Sequence, residues 1–520
     1  MTLCLNIEEE MIRNNEIMSD LKVNKKESFD AFIASFKSTL KSVFYQRNNI
    51  ECFIQQRGFP ALVLRDIMAT NPLSVAIPSE YGGRGGYVKE CLGLLEAASY
   101  ESLPLSLTFG INIALFLEPV AKYGQDSIKG NIFRRFLTQQ NMGGLMITEP
   151  DYGSDALNMR TTNVKCGVDY HIEGVKHWQG LTGMADYWIM TCRNQRESGD
   201  LSRDIDLFVS DEHEKNQAII VEEYYNNLGL YPIPYGKNLV DIKVPKEYKL
   251  IPETTGLKLL MDMLHRSRYQ FAGMGMGFIK RMLDEALEHC TKRHVGGKPL
   301  LALDQVKFQI SKIQNAFTIC SGMCHRSASY SGIENNLATD IVEANSIKAY
   351  VTDLMQESAQ TLTQLSGANG YKMENIGGRG IVDSRPFQIF EGSNEMLYTQ
   401  IADGVLKLAK RAKIKNLFQF LSGFGLTENS VGYFKEIVDF EIMTPLSQRK
   451  LIDIGKIISR IVCANHALVL GIKGFRSDLI DNSIETVRHE LHSLVSSYHN
   501  HSTVNPISDY NSDSSWLQYA

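Results

Sequence analysis

The sequence lacks several features that would mark a nucleic-acid-binding, membrane or secreted protein. Its formal net charge is only −5, so no strong attraction to nucleic acid or to an anionic membrane is expected. No uninterrupted apolar run is long enough to span a bilayer. The stretch 1–18 contains consecutive glutamates and no apolar segment of the kind found in secretory leaders. We therefore expect a cytoplasmic protein with no nucleic-acid partner and no transmembrane segment.

Cysteine is sparse, and its pattern excludes the common cysteine-based sites. The nine cysteines are odd in number and include no CxxC pair, as is typical of buried thiols in a reducing compartment. Cys320, Cys324 and His325 lie close together in the sequence, but in a helical stretch with no second cluster, so no metal site is predicted. A P-loop, an HExxH motif and a GxSxG motif are also absent.

The chain is long, and the spacing of its apolar residues changes along its length. At 520 residues with 43% hydrophobic and 22% charged residues, it can form two to four globular domains. Apolar residues recur at helical spacing, then in short strand-like runs separated by Gly, Asn and Asp, then at helical spacing again. The predicted divisions are an N-terminal segment (1–29), a helical domain (30–141), a β domain (142–252), a helical bundle (253–412), a further helical region (413–501) and a disordered tail (502–520).

These divisions predict an α+β fold that is mostly α. An N-terminal helical domain precedes a central β-barrel-like domain, and a C-terminal four-helix bundle is followed by an extra helical region. The glycine-rich run 273–277 (GMGMG) is not a dinucleotide loop, because no strand precedes it and the GxGxxG spacing is incomplete. Small residues that allow two helices to approach explain it better.

One carboxylate stands out as a candidate base. Glu391 lies in the segment 387–395 (FQIFEGSNE), between apolar side chains and a glycine. A partly dehydrated carboxylate could remove a proton from a weakly acidic C–H group, although an acid beside a glycine is more often a simple turn. A second polar, glycine-containing segment, 147–155 (ITEPDYGSD), lies far upstream and could hold a cofactor opposite that base.

Three further features each have a structural alternative. Trp178, near the end of a strand-like run, could form the wall of an aromatic-cofactor site or simply belong to the core. Arg266 and Arg268 cannot share one helical face, so we expect one to be structural and the other to point into a cleft. The segment 364–371 (QLSGANGY) could bind a pyrophosphate with its backbone N–H groups or merely end a helix.

Taken together, these segments resemble the acyl-CoA dehydrogenase family from about residue 58 to about residue 411. The ordered matches are an early glycine turn (81–83, YGG), the first signature (146–155, MITEPDYGSD), the second signature (364–371) and the segment that carries the family's base (391–395, EGSNE). The second signature also includes Arg379 and Asp383. The resemblance implies FAD as the cofactor and a homodimer or homotetramer as the assembly.

The resemblance also implies roles for individual residues. Glu391 is implied as the catalytic base, and Ser154, His265, Arg268 and Gly392 are implied to contact the acyl thioester, with Arg268 as the main anchor of its carrier. The implied cofactor contacts are Leu145, Ile147, Thr148, Ser154, Trp178, Gly180, Arg293, Val295, Gln364, Gly367, Ala368, Ser393 and Glu395. Arg293 and Gln364 would meet the pyrophosphate, with Arg293 reaching the cofactor of a neighbouring subunit.

Three positions depart from the family pattern, and all three lie on the cofactor side. Gly180 replaces a hydroxyl residue that bonds the flavin, so Thr182 or the backbone would have to supply that contact. Gly296 replaces an aromatic residue, and Ala368 replaces a glycine. These changes are therefore expected to affect FAD binding rather than proton removal by Glu391.

The implied reaction is α,β-dehydrogenation of an acyl thioester, carried by coenzyme A or an acyl carrier protein. Glu391 takes the α-proton, the β-hydride goes to flavin N5, and electrons leave through an acceptor such as an electron-transfer flavoprotein. An acyl-CoA oxidase that uses oxygen, or a non-catalytic family member acting as a scaffold, are the alternatives. The region beyond about residue 413 exceeds the usual family length.

Overall fold

The structure is a computed structural model that describes residues 27–500 and 504–520. Most of the predicted N-terminal segment (1–26) and residues 501–503 lie outside the described residues. The chain folds into an N-terminal helical part, a central sheet and a large C-terminal helical part. This mostly helical architecture confirms the predicted fold class.

Between residues 27 and 141, the described chain forms six short α-helices around an apolar core. Its fourth helix is buried along its whole length, so this helix forms the centre of the layer. The first helix begins at a Ser28 cap, whose hydroxyl accepts a hydrogen bond from the Ala31 backbone N–H at 3.2 Å. The six helices are α1 (Phe29–Lys41), α2 (Ala61–Met68), α3 (Val88–Glu101), α4 (Leu103–Asn112), α5 (Glu118–Tyr123) and α6 (Asp126–Gln139).

The central part is one curled sheet of seven strands. The strands are β1 (Gly143–Met146), β2 (Thr162–Cys166), β3 (Asp169–His177), β4 (Tyr187–Asn194), β5 (Asp206–Asp211), β6 (Ile220–Tyr224) and β7 (Gly236–Val244). Their order is β1-β4-β2-β3-β7-β6, with β5 paired to β4. β1 and β2 run parallel to β4, and the other pairs are antiparallel. The end of β1 therefore lies beside β4, and the loop that follows it reaches the end of β3.

Four long helices form the C-terminal bundle. They are α7 (Gly256–Lys292), α8 (Asp304–Tyr330), α9 (Ile341–Ser366) and α11 (Asn394–Ala412), and a shorter helix, α10 (Ile376–Ser384), precedes α11. A two-stranded hairpin, β8 (His294–Val295) and β9 (Lys298–Pro299), joins α7 to α8. A side chain at Gly277 would collide with the Glu96 carbonyl of α3. The interpretation of 273–277 as a close helix approach is thus confirmed.

The further helical region packs directly on this bundle. It contains α12 (Leu417–Ser422), α13 (Lys435–Val438), α14 (Gln448–Ile472) and α15 (Ser477–His499). α14 contacts α8, α9 and α11, and α15 contacts α8 and α14. Residues 504–520 form turns and one short 3-10 helix (Trp516–Gln518), and all of them are exposed. The predicted disorder of this tail stays a prediction.

Two stretches of the described chain are long and apolar enough to cross a bilayer by composition alone. They are Leu103–Tyr123, whose most apolar window is 100% buried, and Gln448–Ile472, whose window is 72% buried. Each is packed inside the fold, as the core helices of a globular protein are. They are weak candidates for membrane spans.

Candidate active site

Glu391 lies in a short loop between a 3-10 helix (Arg385–Gln388) and α11. We call residues 389–393 the base loop. Glu391 has φ +53° and Gly392 has φ +94°, so two consecutive residues adopt left-handed backbone conformations. Glycine takes such a conformation freely, whereas a glutamate in it is strained and must be held by its surroundings. The loop is therefore a rigidly defined turn.

Two residues of α7 hold Glu391. The Ser267 hydroxyl donates a hydrogen bond to Glu391 Oε1 at 2.8 Å, and the Arg268 guanidinium donates to the Glu391 backbone carbonyl at 2.9 Å. Glu391 Oε2 is buried and has no hydrogen-bond partner among the described residues. One carboxylate oxygen is thus fixed while the other remains free to accept a proton.

The surroundings of this carboxylate shift its pKa in opposing directions. Burial raises the pKa of Glu391, whereas the charge of Arg268, the Ser267 hydrogen bond and the charge of Lys348 lower it. The net shift is upward. A carboxylate with a raised pKa is a stronger base than an ordinary glutamate, as proton removal from carbon requires.

Lys348, on α9, is a residue beside the base loop that its own sequence context did not single out. Its ammonium group donates to the Gly392 carbonyl at 2.9 Å and to Asn394 Oδ1 at 3.1 Å. Burial lowers the pKa of Lys348, and the charge of Glu391 raises it. Lysine is mostly a surface residue, and the only signal in the sequence is that Lys348 follows Ile347 and precedes the run 349–351 (AYV).

The two arginines that flank Ser267 divide their roles as the sequence suggested. Arg266 donates to the Ser331 carbonyl at 2.6 Å and pairs with Asp262 at 3.0 Å, so it is structural. Arg268 turns toward the base loop and also donates to Asn345 at 2.7 Å. Ser267, between them, is a second site residue that the sequence analysis did not single out.

The structure gives His265 and Arg268 interior partners. His265 Nδ1 lies 2.6 Å from the Leu337 carbonyl, and burial lowers the pKa of His265 to about 4. Arg268 is only 4% exposed. Arg268 therefore holds the base loop, whereas His265 bonds to the segment before α9. The predicted contact of both residues with a thioester carrier stays a prediction.

The upstream segment, 147–149, is held by a buried ion pair. Lys176 Nζ lies 2.8 Å from Glu149 Oε1 and donates to the Ile147 carbonyl at 3.1 Å. The His177 backbone N–H and the Gln179 side chain both donate to the Thr148 carbonyl, at 2.9 and 3.1 Å. The structure therefore brings 147–149 against 177–179, two segments that the sequence analysis assigned to the same cofactor.

Trp178 has the geometry of a cofactor wall rather than of a core residue. Its backbone φ is +62°, its side chain is 51% exposed, and its ring centroid lies 4.5 Å from that of Tyr225. A large, rigid and half-exposed aromatic surface beside the held segment 147–149 can stack on a flat ring system. The residues present therefore fit a flavin.

The missing hydroxyl at position 180 has a packing explanation. A Cβ atom at Gly180 would lie 2.9 Å from Ile111 Cδ1 and 3.5 Å from the Tyr235 ring, so a larger side chain would require its neighbours to move. Thr182 does not replace it, because Thr182 is fully buried and its hydroxyl donates to the Gln179 carbonyl. The backbone is the remaining candidate for that contact.

The other predicted cofactor residues lie near or at the surface of the single chain. Leu145 and Ser393 are half-buried. Seven of them are exposed: Ser154, Arg293, Val295, Gln364, Gly367, Ala368 and Glu395.

Asp383 connects the sheet to the segment that leads to Glu391, since its carboxylate accepts a hydrogen bond from the Leu230 N–H at 2.7 Å. Among the described residues, no group of three or more His, Cys, Asp or Glu side chains could hold a metal.

Three family models match consecutive parts of the chain. They are the N-terminal (residues 36–140), middle (144–239) and C-terminal (254–406) domains of acyl-CoA dehydrogenase. The chain belongs to the acyl-CoA dehydrogenase family. As a member, it is an FAD flavoprotein and an oxidoreductase that acts on CH–CH donors.

This acyl-CoA dehydrogenase family member has similar relatives among curated proteins and solved structures. An acyl-CoA dehydrogenase of Bacillus subtilis (strain 168) is 23% identical over 346 residues, covering 65% of this chain and 88% of the relative. The structure of an acyl-CoA dehydrogenase complexed with FAD from Bacillus anthracis has a TM-score of 0.74 at 18% identity, covering 91% of this chain and 88% of that chain. The prolyl acyl carrier protein oxidase AnaB has a TM-score of 0.64 at 16% identity, covering 71% and 98%. The structural likenesses establish the fold.

Proposed function

We propose that this protein oxidises an acyl thioester to the trans-2-enoyl thioester, with Glu391 as the base. The observation that carries this proposal is the state of its carboxylate: Oε1 accepts from Ser267 at 2.8 Å, and Oε2 is buried without a partner among the described residues. A buried oxygen without a donor is costly. This cost is explained if Oε2 takes a proton from a C–H group of the substrate.

The chain's own residues account for the proton half of the reaction. Arg268 fixes the backbone of Glu391 through its carbonyl, so the carboxylate is aimed before substrate arrives and little reorganisation is needed. Burial raises the pKa of Glu391. The acceptor for the β-hydride would be supplied by bound FAD. Residues 147–149 and Trp178 would hold its ring system against the substrate.

Several partners belong to this proposal. The thioester carrier is coenzyme A or an acyl carrier protein, and the electron acceptor is an electron-transfer flavoprotein. We also propose a cytoplasmic location, which the free thiols of the seven cysteines with described side chains support. A homodimer or homotetramer is proposed because Arg293 and Gln364, the predicted pyrophosphate contacts, are exposed in the single chain. Light scattering of the purified protein measures the assembly.

Replacing Glu391 tests the proposal directly. Glu391→Gln keeps the shape of the side chain and removes the proton acceptor, so we expect retained FAD absorbance and a kcat lowered by roughly 10²–10⁴-fold. The measurement is anaerobic bleaching of the flavin on mixing with a panel of acyl-CoA and acyl carrier protein thioesters. Glu374→Gln, at an exposed loop position, is the matched control and should react like the wild type. Undiminished bleaching in Glu391→Gln would refute Glu391 as the base.

The same preparation distinguishes the alternatives. Peroxide formation in air at the rate of substrate oxidation would indicate an oxidase. Its absence, with turnover restored by an electron-transfer flavoprotein, would indicate a dehydrogenase. A pure protein that holds no FAD even after reconstitution would indicate a non-catalytic family member.

A further inference from the structure

The base loop is also held by Lys348 of α9. Its ammonium group reaches both the carbonyl of Gly392, inside the loop, and the side chain of Asn394, the first residue of α11, at 2.9 and 3.1 Å. Lys348 is fully buried and Asn394 is 5% exposed. Both hydrogen bonds are therefore shielded from water, where charged donors are strong.

Asn394 passes the connection on to Asp353, one helical turn along α9 from Ala349. The Asn394 amide donates to Asp353 Oδ1 at 2.7 Å, and the Tyr398 hydroxyl of α11 donates to Asp353 Oδ2 at 2.6 Å. Gln388, just before the base loop, also donates to Asp353 Oδ1, at 2.8 Å. Asp353 thus ties together the two chain segments on either side of Glu391.

The connection then leaves the bundle and enters the C-terminal helices. Arg460 of α14 donates to the Tyr398 hydroxyl at 2.7 Å and lies 3.5 Å from Asp353 Oδ2. Its Nε donates to Glu490 of α15 at 3.2 Å. Arg460 is 6% exposed, and its guanidinium also stacks on the Tyr350 ring at 4.1 Å. A continuous set of hydrogen bonds therefore runs from α15 to Gly392.

Backbone packing keeps α14 in place for this contact. Gly455 of α14 lies against the Tyr398 carbonyl so closely that a Cβ atom there would collide with it. This approach places Arg460, five residues further along α14, beside the Tyr398 side chain. Arginine at this point presents several donors in a fixed planar arrangement, which suits simultaneous contact with Tyr398, Asp353 and Glu490.

We propose that the C-terminal helices α14 and α15 position the catalytic base, through Arg460, Tyr398, Asp353, Asn394 and Lys348 acting on the Gly392 carbonyl. The inference rests on the proposed function of Glu391 and assigns a role to the helical region beyond residue 413. Lys348 and Tyr398 are positioning residues, because they act on the reaction only through the base loop. A small displacement of the Glu391 carboxylate from its productive position lowers the rate of proton transfer without weakening substrate binding.

Two variants that each lose one tyrosine hydroxyl test this proposal, one as the test and the other as its control. Tyr398→Phe removes the hydroxyl between Arg460 and Asp353. Tyr350→Phe removes a hydroxyl that donates to the same Glu490 at 3.2 Å but does not bond to Asp353 or Asn394. Both tyrosines are at most 2% exposed, so the two deletions should have similar effects on stability. We expect Tyr398→Phe to lower kcat about tenfold with KM unchanged, and Tyr350→Phe to match the wild type.

Hydrogen–deuterium exchange gives a readout that does not depend on turnover. In the substrate-free holoenzyme, peptides covering residues 388–398 should exchange faster in Tyr398→Phe and at the wild-type rate in Tyr350→Phe. Failure of the wild type to oxidise any thioester would sink the proposed function, and the exchange data would still decide the positioning. Equal exchange in both variants, or a Tyr398→Phe enzyme with wild-type kcat, overturns the proposal.

Lys348→Met provides an independent electrostatic readout. The charged groups that face Lys348 are Arg268 from α7, Asp353 from its own helix, Glu391 from the base loop and Glu395 from α11. Removing the Lys348 charge takes away one influence that lowers the pKa of Glu391. The acid limb of the kcat/KM profile should therefore move to higher pH. An acid limb that stays at its wild-type position contradicts the role given to Lys348.

Discussion

Glu391 combines a strained backbone with a carboxylate of which only one oxygen accepts a hydrogen bond from the described residues. A non-glycine residue at φ +53° costs about 1–3 kcal/mol, and hydrogen bonds from Arg268 and Ser267 offset this cost locally. Strain of this kind is kept where a side chain must point in one direction. At Glu391 it accompanies an Oε2 atom that is buried and has no hydrogen-bond donor among the described residues.

The hydrogen bond from Ser267 predicts a pH effect. Ser267→Ala removes a donor that favours the ionised form of Glu391, so the pKa of Glu391 rises further. Because the base must be ionised to act, activity is lost as the pH falls through that pKa, and the acid limb of the kcat/KM profile should move to higher pH. Above this limb, kcat should fall by no more than about tenfold, the size of one hydrogen bond.

The control for this variant is another buried serine that bonds to α7. Ser327 donates to the Tyr269 carbonyl at 2.9 Å, away from the base loop. Ser327→Ala should leave the pH profile where it is. A profile that moves equally in both variants would mean that the shift reflects a general change in the helical bundle.

At the level of the element, a buried ion pair helps to hold the loop after β1. Lys176 and Glu149 are almost completely buried, and the Arg160 and Thr161 backbone N–H groups also donate to the Glu149 carboxylate. Burial alone would raise the pKa of Glu149, but Lys176 and these donors outweigh it, so the pKa of Glu149 is lowered. Glu149 is therefore kept ionised, and its ion pair with Lys176 fixes the segment 147–149.

Lys176→Met should destabilise the protein and loosen the cofactor together. Loss of one partner leaves a buried charge uncompensated, which costs about 3–5 kcal/mol, and the Ile147 carbonyl loses its donor. We expect a lower urea midpoint and faster release of FAD, measured by flavin fluorescence. Lys237→Met breaks an ion pair with Glu222 at the surface and should change neither. Retained FAD in a destabilised Lys176→Met protein would separate the two effects and contradict the cofactor role of this loop.

At the level of the whole molecule, the C-terminal helices are part of the same core as the bundle. Ile454, Ile457, Ile458 and Ile461 of α14 are fully buried. His466 of α14 lies 3.1 Å from Glu343 of α9. A region joined to the bundle by both apolar and polar contacts should unfold with it in one transition.

Ile458→Ala tests this cooperativity. Truncation of a buried isoleucine should cost about 2–5 kcal/mol and lower the midpoints of circular dichroism and flavin fluorescence by the same amount. Ile472→Ala, on the same helix at a position that is 77% exposed, should unfold like the wild type. Two separated transitions in Ile458→Ala would show that α14 and α15 form an independent unit.

The sequence by itself determined the fold class and the family, and it singled out the two segments that contain Glu391 and Thr148. These are local patterns: hydrophobic periodicity and short motifs depend on neighbouring residues and can be recognised one segment at a time. The role of 273–277 in helix packing was also predictable, because small residues have few other uses inside a helix.

Only the tertiary structure decided which residues surround the base. Ser267, Lys348 and Arg460 are far from Glu391 in sequence, and each looks ordinary in its own helix. A buried lysine or arginine is recognisable only through the partners that compensate its charge, and those partners come from other helices. Side-chain contacts of this range arise from how helices pack, which a local pattern does not encode.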